Sequence, residues 1–230
     1  TPTSIIPFVA RIARAVAPGL PHHVTQRGNR RLQTFFSDDD YETYLGLMRE
    51  WCTHFAVDVW GYCLMPNHVH LIAVPPHEQA LTRAISEVHR RYTRYVNFQQ
   101  GWRGHLWQGR FASYVMDEHY LLACIRYIEM NPVKAKLVHH PAEWRWSSAR
   151  AHIDGRQNDT FNATALLHLV EGDWTQFLAG ETSDRTASLL CKHEQTGRPL
   201  GSPSFVDRVE ILLSRSLRPA RGGRPPVPQK

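Results

Sequence analysis

The chain has 230 residues, of which 42% are hydrophobic and 10% aromatic, which is enough for a substantial core and excludes a wholly disordered protein. Its net charge of +6 at pH 7 favours an anionic partner, nucleic acid before an anionic membrane surface. The cysteines form no Cys-x-x-Cys pair, so we expect reduced thiols in a cytoplasmic protein rather than a disulfide framework or a zinc site.

Residues 1–21 contain four prolines and are predicted to form a basic arm without regular structure. The apolar run at residues 5–10 is too short to span a membrane, and Arg11 and Arg14 interrupt the chain that follows. We therefore expect no signal peptide and no membrane partner.

Residues 22–26 predict a first strand, which runs into a glycine-containing turn. This turn carries Arg27, Arg30 and Arg31, which are candidates to bind a DNA backbone. A first helix is predicted over residues 38–55, because its first turn is acidic and apolar residues then recur at helical spacing.

Two runs of β-forming residues, 57–65 and 68–74, are separated by Pro66-Asn67 and predict a hairpin. Apolar residues at helical spacing over 81–96 predict a second helix. The other face of this helix is basic, and we expect Arg90 and Arg94 there to contact DNA.

Glycines, aromatic residues and cations alternate in the segment 99–111. Aromatic rings offer stacking surfaces for unpaired bases, and arginines bind phosphates, so the segment is predicted to contact DNA. A glycine-rich connection whose tryptophans fill gaps in the core is an equally good interpretation of Trp107. The candidate DNA-binding residues of this segment are Trp102, Arg103, His105, Trp107 and Arg110.

A fourth strand is predicted at residues 113–116, followed by a helix that Asp117 caps and Pro132 ends. The order β-α-β-β-α-β-α predicts an α+β fold, a ferredoxin-like split βαβ antiparallel sheet with an added helix that can lie across it.

A change in composition after residue 153 predicts a boundary between a main domain, 22–153, and a small helical extension, 154–214. Helices are expected at 163–177 and 205–217, with a Thr/Gly/Ser-rich joint between them. The last residues, 215–230, contain no acid and predict a disordered basic tail.

His68 and His70 lie two residues apart at the start of the third predicted strand. Side chains alternate between the faces of a strand, so both imidazoles point to the same side, where they can bind one metal ion. A His-x-His pair alone is more often a hydrogen-bonded surface pair. The remaining candidates decide between these interpretations.

Tyr127 and Asn131 are four residues apart on the third helix and share a face. If this helix lies over the sheet, two imidazole nitrogens and one amide oxygen can hold a divalent cation beside a tyrosine. Tyr120 lies on a similar face and is the alternative nucleophile, but it has no amide partner one turn later.

Four blocks of the chain, over roughly residues 8–150, resemble the REP-associated tyrosine transposases, a branch of the HUH single-strand nucleases. The blocks are His22-His23-Val24-Thr25-Gln26-Arg27-Gly28-Asn29, Met65-Pro66-Asn67-His68-Val69-His70, Gly104-His105-Leu106-Trp107-Gln108-Gly109-Arg110 and Tyr127-Ile128-Glu129-Met130-Asn131-Pro132-Val133-Lys134-Ala135.

This resemblance implies that residues 22–153 form an HUH catalytic domain, in which His68, His70 and Asn131 bind Mg²⁺ or Mn²⁺. It implies that Tyr127 attacks DNA and forms a 5′-phosphotyrosine intermediate. The implied substrate is single-stranded DNA with a hairpin of the repetitive extragenic palindrome type, bound by a monomer rather than a dimer in the bacterial cytoplasm, at the nucleoid.

Two other functions remain open from the sequence. The same fold could bind a nucleic-acid hairpin as a regulator without cleaving it. A metal-dependent hydrolase of small phosphate esters is a further class, but such an enzyme would need neither the basic arm nor the aromatic and basic segment. A covalent protein–DNA adduct distinguishes the transposase from both.

Overall fold

The computed structural model describes residues 12–156 and 161–219. Its centre is a four-stranded antiparallel sheet. The strands are β1 (His22–Arg27), β2 (Asp58–Met65), β3 (His68–Val74) and β4 (Ala112–Val115). Their order across the sheet is β2-β3-β1-β4, which confirms the predicted α+β, ferredoxin-like arrangement.

Helices alternate with strands in the first half of the chain and follow one another in the second half. They are α1 (Asp38–His54), α2 (Glu78–Gln100), α3 (Glu118–Glu129), α4 (Asn131–Lys134), α5 (Ala149–Ile153), α6 (Thr164–Leu167), α7 (Trp174–Ala179), α8 (Asp184–Thr196) and α9 (Pro203–Leu212). Over the two described ranges, none of these helices is both long and apolar enough to cross a membrane.

The two faces of the sheet pack against different helices. Helices α1 and α2 cover one face through a core that includes Tyr44, Leu71 and Ile85. Helices α3 and α8 cover the other face, where Ile72 and Leu121 are buried. The predicted added helix therefore lies across the sheet as α3.

The path of the third helix differs from the prediction at its end. Asp117 caps α3 by accepting a hydrogen bond from the backbone N–H of Tyr120 (3.1 Å), as expected. Pro132 does not end the helical path. It lies in the first turn of α4, where its missing N–H is tolerated, and the break falls at Met130.

The region after residue 161 contains α6 to α9 rather than two long helices. Helix α8 occupies the segment that the sequence analysis assigned to a Thr/Gly/Ser-rich joint, so that prediction was wrong. Its buried Leu190 joins the core over β4 and α3. The extension is thus part of the layer that covers one face of the sheet.

The predicted arm and tail are partly packed. Residues 12–21 have no regular structure, but Ala15 and Ala17 are buried against α9. Leu217 is buried, and Arg215 donates to the backbone carbonyl of Ala13 (2.8 Å), so residues 215–219 do not belong to a disordered tail. The rest of the predicted arm, 1–11, and of the predicted tail, 220–230, lie outside the described residues.

Candidate functional site

The two histidines predicted as metal ligands lie side by side on the sheet face that α3 covers. Strand pairing places His68 opposite Arg27 and His70 opposite Thr25. The centroids of the two imidazoles are 4.9 Å apart and the rings are nearly perpendicular, at 82°. His70 is buried and His68 is half-buried.

Each imidazole is held through its Nδ1 atom. His68 Nδ1 lies 2.6 Å from Oδ1 of Asn67, and His70 Nδ1 lies 2.9 Å from Nε2 of His23. Because Nδ1 is engaged on both rings, the Nε2 atoms remain available for a shared ligand.

Tyr127 and Asn131 both reach His70. The ring of Tyr127 meets the imidazole edge-on, with centroids 6.0 Å apart, and the Asn131 amide nitrogen lies 3.3 Å from His70 Nε2. Tyr120 instead lines a separate groove with His193 and residues of α9. The geometry therefore brings the four predicted residues together and leaves the alternative nucleophile apart from them.

Burial determines the protonation states at the site. Desolvation raises the pKa of Tyr127 to about 12, with smaller contributions from Cys191 and Glu194 of α8. Desolvation also lowers the pKa of His68 to about 3, and the charge of Arg27 adds to this effect. The imidazoles are therefore neutral and able to bind a metal near pH 7, whereas the phenol is protonated.

The donor set fits a divalent transition metal. Two neutral imidazoles and one amide oxygen suit Mn²⁺, and Mg²⁺ less readily. No group of three or more His, Cys, Asp or Glu residues within 12–156 and 161–219 could hold a metal ion. The Asn131 side chain, 3.3 Å from His70 Nε2, is the candidate third ligand from the protein at these histidines.

The sequence analysis did not identify two groups of residues around the site. His23 and Asn67 orient the imidazoles. Alternation along β1 places His23 on the same face as Thr25, but it does not indicate which residue of β3 His23 meets. Cys191 and Glu194 approach Tyr127 from α8. No signal in the sequence indicated them, because α8 itself was not predicted.

The predicted basic turn lies next to the histidines. Arg30 and Arg31 are exposed and adopt left-handed backbone angles, with φ of 54° and 62°. Asn67, which holds His68, also donates from its side-chain nitrogen to the backbone carbonyl of Arg31 (3.1 Å). Such a conformation costs about 1–3 kcal/mol for a residue other than glycine and often occurs at functional sites.

The segment 99–111 contains exposed and buried candidates. Arg103, His105 and Arg110 are exposed, and 46% of the Trp102 surface is accessible. Trp107 is only 6% exposed and belongs to the core beneath α1 and α2, which favours the interpretation that this tryptophan fills a gap in the core.

The two candidates on α2 lie farther from the site. Arg90 and Arg94 are exposed, but α2 covers the sheet face opposite to the histidines. Arg90 also forms an ion pair with Glu87 (2.6 Å). Their contact with DNA stays a prediction.

A known protein family matches the part of the chain that forms the sheet and contains the candidate site. The family model of IS200-like transposases matches residues 18–131, just under half of the chain and a stretch that contains His68, His70, Tyr127 and Asn131. Over that stretch the chain is similar to this family.

One relative bears the name of the REP-associated branch. A Haemophilus influenzae protein assigned as a REP-associated tyrosine transposase is 26% identical over 111 residues, which cover 44% of this chain and 63% of the relative. The match thus spans less than two thirds of that relative.

A solved structure of a REP-associated tyrosine transposase bound to a REP hairpin shares the fold, with a TM-score of 0.56 and 20% identity. The match covers 75% of this chain and 98% of that one.

Proposed function

We propose that the protein is a transposase that cleaves and rejoins single-stranded DNA, with Tyr127 as its nucleophile. The observation that carries this proposal is the meeting of Tyr127 and Asn131 at His70, beside His68 and Arg27. The proposed substrate is a hairpin-containing repetitive element, which is the DNA named for the related solved structure.

The reaction follows from the chemistry of the phenol. The oxygen of Tyr127 bonds to a DNA phosphorus while the P–O3′ bond breaks. The products are a 5′-phosphotyrosine and a strand with a free 3′-OH, which takes up a proton in place of the one that the phenol loses. The covalent intermediate retains the energy of the phosphodiester bond, so rejoining needs no ATP.

The protein supplies the groups around the scissile phosphate. His68, His70 and Asn131 would hold Mg²⁺ or Mn²⁺, which when bound polarises a phosphate oxygen and stabilises the added negative charge. Arg27 lies opposite His68 and places a fixed positive charge at the same edge of the site. Burial raises the pKa of Tyr127 to about 12, so the phenol carries its proton near pH 7 in the DNA-free protein.

The DNA-binding surface is proposed to extend from the site over the basic turn and the neighbouring exposed loop. The backbone of Asn29 donates to Leu106 O (2.8 Å), so the two loops are adjacent. Trp102 meets Phe36 edge-on, with ring centroids 5.6 Å apart, and both rings are partly exposed. Arginines there can bind phosphates while these rings stack on unpaired bases.

We further propose that the enzyme acts as a monomer. Tyr127 lies beside the histidines of its own chain, so a single chain contains every side chain that the reaction uses. A site shared between two subunits would place the tyrosine of one chain at the histidines of another.

A covalent adduct tests this proposal. Hairpin DNA from repeats near the gene is labelled at its 3′ end, because the downstream fragment stays attached to the protein. We expect a denaturant-resistant adduct with Mn²⁺ that disappears with a chelator or with Tyr127→Phe. Tyr120→Phe is the matched control and keeps the adduct.

Each other result has a definite meaning. If Tyr120→Phe abolished the adduct and Tyr127→Phe did not, the nucleophile would be Tyr120, and the proposed role of Tyr127 would be wrong. Tight binding of the hairpin without any adduct would favour the non-cleaving regulator over the transposase.

A further inference from the structure

A line of buried polar side chains runs from the candidate site into the sheet. His70 Nδ1 lies 2.9 Å from His23 Nε2, and His23 Nδ1 lies 3.0 Å from the hydroxyl of Tyr114. His23 is 1% exposed and Tyr114 is fully buried. Neither residue is a proposed ligand or nucleophile, yet together they occupy the side of His70 that faces away from the site.

The register of the sheet produces this line. His23 pairs with Tyr114 on one side and with Ile72 on the other, and His70 lies two residues before Ile72 on the same face. The rings of His23 and His70 stack with centroids 5.2 Å apart and an angle of 13°, whereas Tyr114 meets His23 edge-on. The contacts on both sides leave His23 little freedom to turn.

The hydrogen-bond roles along the line depend on which nitrogen of each imidazole carries the proton. A neutral imidazole carries one N–H and one lone pair. If His70 donates from Nδ1, then His23 Nε2 accepts, and His23 Nδ1 donates to the hydroxyl of Tyr114. In this arrangement His70 Nε2 carries the lone pair, which is the form that binds a metal ion.

The same arrangement is found at the other imidazole. Asn67 Oδ1 can only accept, so at 2.6 Å it requires an N–H on Nδ1 of His68. Nε2 of His68 is then also unprotonated. Asn67 thus selects this tautomer on His68. At His70 the amide nitrogen of Asn131, which can only donate, lies 3.3 Å from Nε2 and favours a lone pair there, so that Nδ1 is the atom that donates to His23.

We propose that His23 is a positioning residue of the active site: with Tyr114 behind it, it holds His70 in the tautomer and orientation whose Nε2 binds the divalent cation. This inference rests on the proposed function. Partners of this kind are worth about 10–100-fold in metal affinity at other sites. A purely structural role would instead make His23 one more buried side chain that fills the core.

Mn²⁺ binding to the DNA-free protein, followed by electron paramagnetic resonance, tests the inference without measuring catalysis. His23→Phe keeps a ring that can stack but removes the acceptor, and we expect Mn²⁺ affinity to fall about 10–100-fold. His23→Gln can place an amide oxygen near His70 Nδ1, and we expect it to restore most of the affinity. Unchanged Mn²⁺ affinity in His23→Phe would overturn the inference.

His89→Phe is the matched control. His89 is also buried, lies 3.0 Å from a tyrosine hydroxyl (Tyr44) and is surrounded by aromatic rings, but it lies on the opposite side of the sheet. We expect its variant to lose stability without a change in Mn²⁺ affinity. An equal loss of affinity in both variants would indicate a general effect of core disruption and contradict the positioning role.

The tautomer of His70 in the unaltered protein provides a second measurement. Long-range ¹H–¹⁵N NMR spectra, assigned with His70→Gln, should show the proton on Nδ1. A proton on Nε2 would overturn the inference. A wild-type protein that forms no metal-dependent adduct contradicts the proposed function, whereas normal adduct formation with unchanged Mn²⁺ binding in His23→Phe contradicts this inference alone.

Discussion

Trp102 and Trp107 lie five residues apart in one loop and have opposite environments. Trp102 is exposed beside Phe36. Trp107 is buried among Tyr44, Tyr92 and His89, and its Nε1–H points to the backbone carbonyl of His89 at 3.4 Å. The first ring is available to a nucleobase, and the second stabilises the packing of the loop on α1 and α2.

These environments predict different effects of the same substitution. Trp102→Ala should leave the melting temperature nearly unchanged and weaken hairpin binding by about 1–3 kcal/mol, the usual contribution of one stacked base. Trp107→Ala should lower the free energy of unfolding by about 3–5 kcal/mol because it leaves a cavity in the core. Fluorescence anisotropy with labelled hairpin and urea denaturation measure the two effects. A Trp107→Ala protein that is stable but binds the hairpin more weakly would instead support a direct contact of Trp107 with DNA.

Helix α3, which carries Tyr127, is anchored through a single buried carboxylate. Glu129 accepts hydrogen bonds from Ser148 Oγ and from Trp174 Nε1 (2.8 Å), and it lies 2.6 Å from His152 Nδ1. Ser148 is the N-cap of α5, His152 lies within α5, and Trp174 lies in α7. The carboxylate therefore fixes the end of α3 that presents Tyr127 to the site.

Removing this carboxylate should loosen the helix. Glu129→Leu leaves His152 Nδ1 and Trp174 Nε1 buried without a partner, whereas Ser148 keeps its hydrogen bonds with the backbone of Tyr62. We expect a loss of about 3–5 kcal/mol in the free energy of unfolding. Glu118→Leu is the control, because Glu118 is exposed in the first turn of the same helix. Chemical denaturation followed by circular dichroism measures both. Similar stabilities of the two variants would contradict the anchoring role.

Exposed arginines in the described part of the chain differ in their surroundings. Arg30 and Arg31 are exposed in the left-handed turn beside the site. Arg145, also exposed, is paired with Asp38 (3.0 Å) and Glu42 (3.2 Å). The carboxylates beside Arg145 offset its charge. The turn that carries Arg30 and Arg31 is therefore a better candidate than Arg145 for contact with DNA phosphates.

The salt dependence of hairpin binding should report this difference. Arg30→Gln and Arg31→Gln should each reduce the slope of log K against log salt concentration by about 0.7–0.9, the value for one phosphate contact. Arg145→Gln should leave the slope unchanged. Binding titrations between low and moderate salt measure the slopes, and equal slopes for all three variants would exclude the turn from the phosphate-binding surface.

The order of elements and the pairing of candidate residues could be predicted from the sequence because both are local properties. Alternation along β3 places His68 and His70 on one face, and helical spacing places Tyr127 near Asn131. The family resemblance then connected these two pairs. The strand and helix periodicities also predicted the split βαβ arrangement, which the sheet order confirms.

Only the tertiary structure decided which side chains meet across elements. The contact of His23 with His70 depends on the register of β1 against β3, which strand alternation does not specify. The burial of Trp107 depends on the packing of its loop against α1 and α2. Helix α8 escaped prediction because its sequence is mostly polar and Leu190 is its one deeply buried apolar residue, so the layer it joins stabilises it more than its own pattern does.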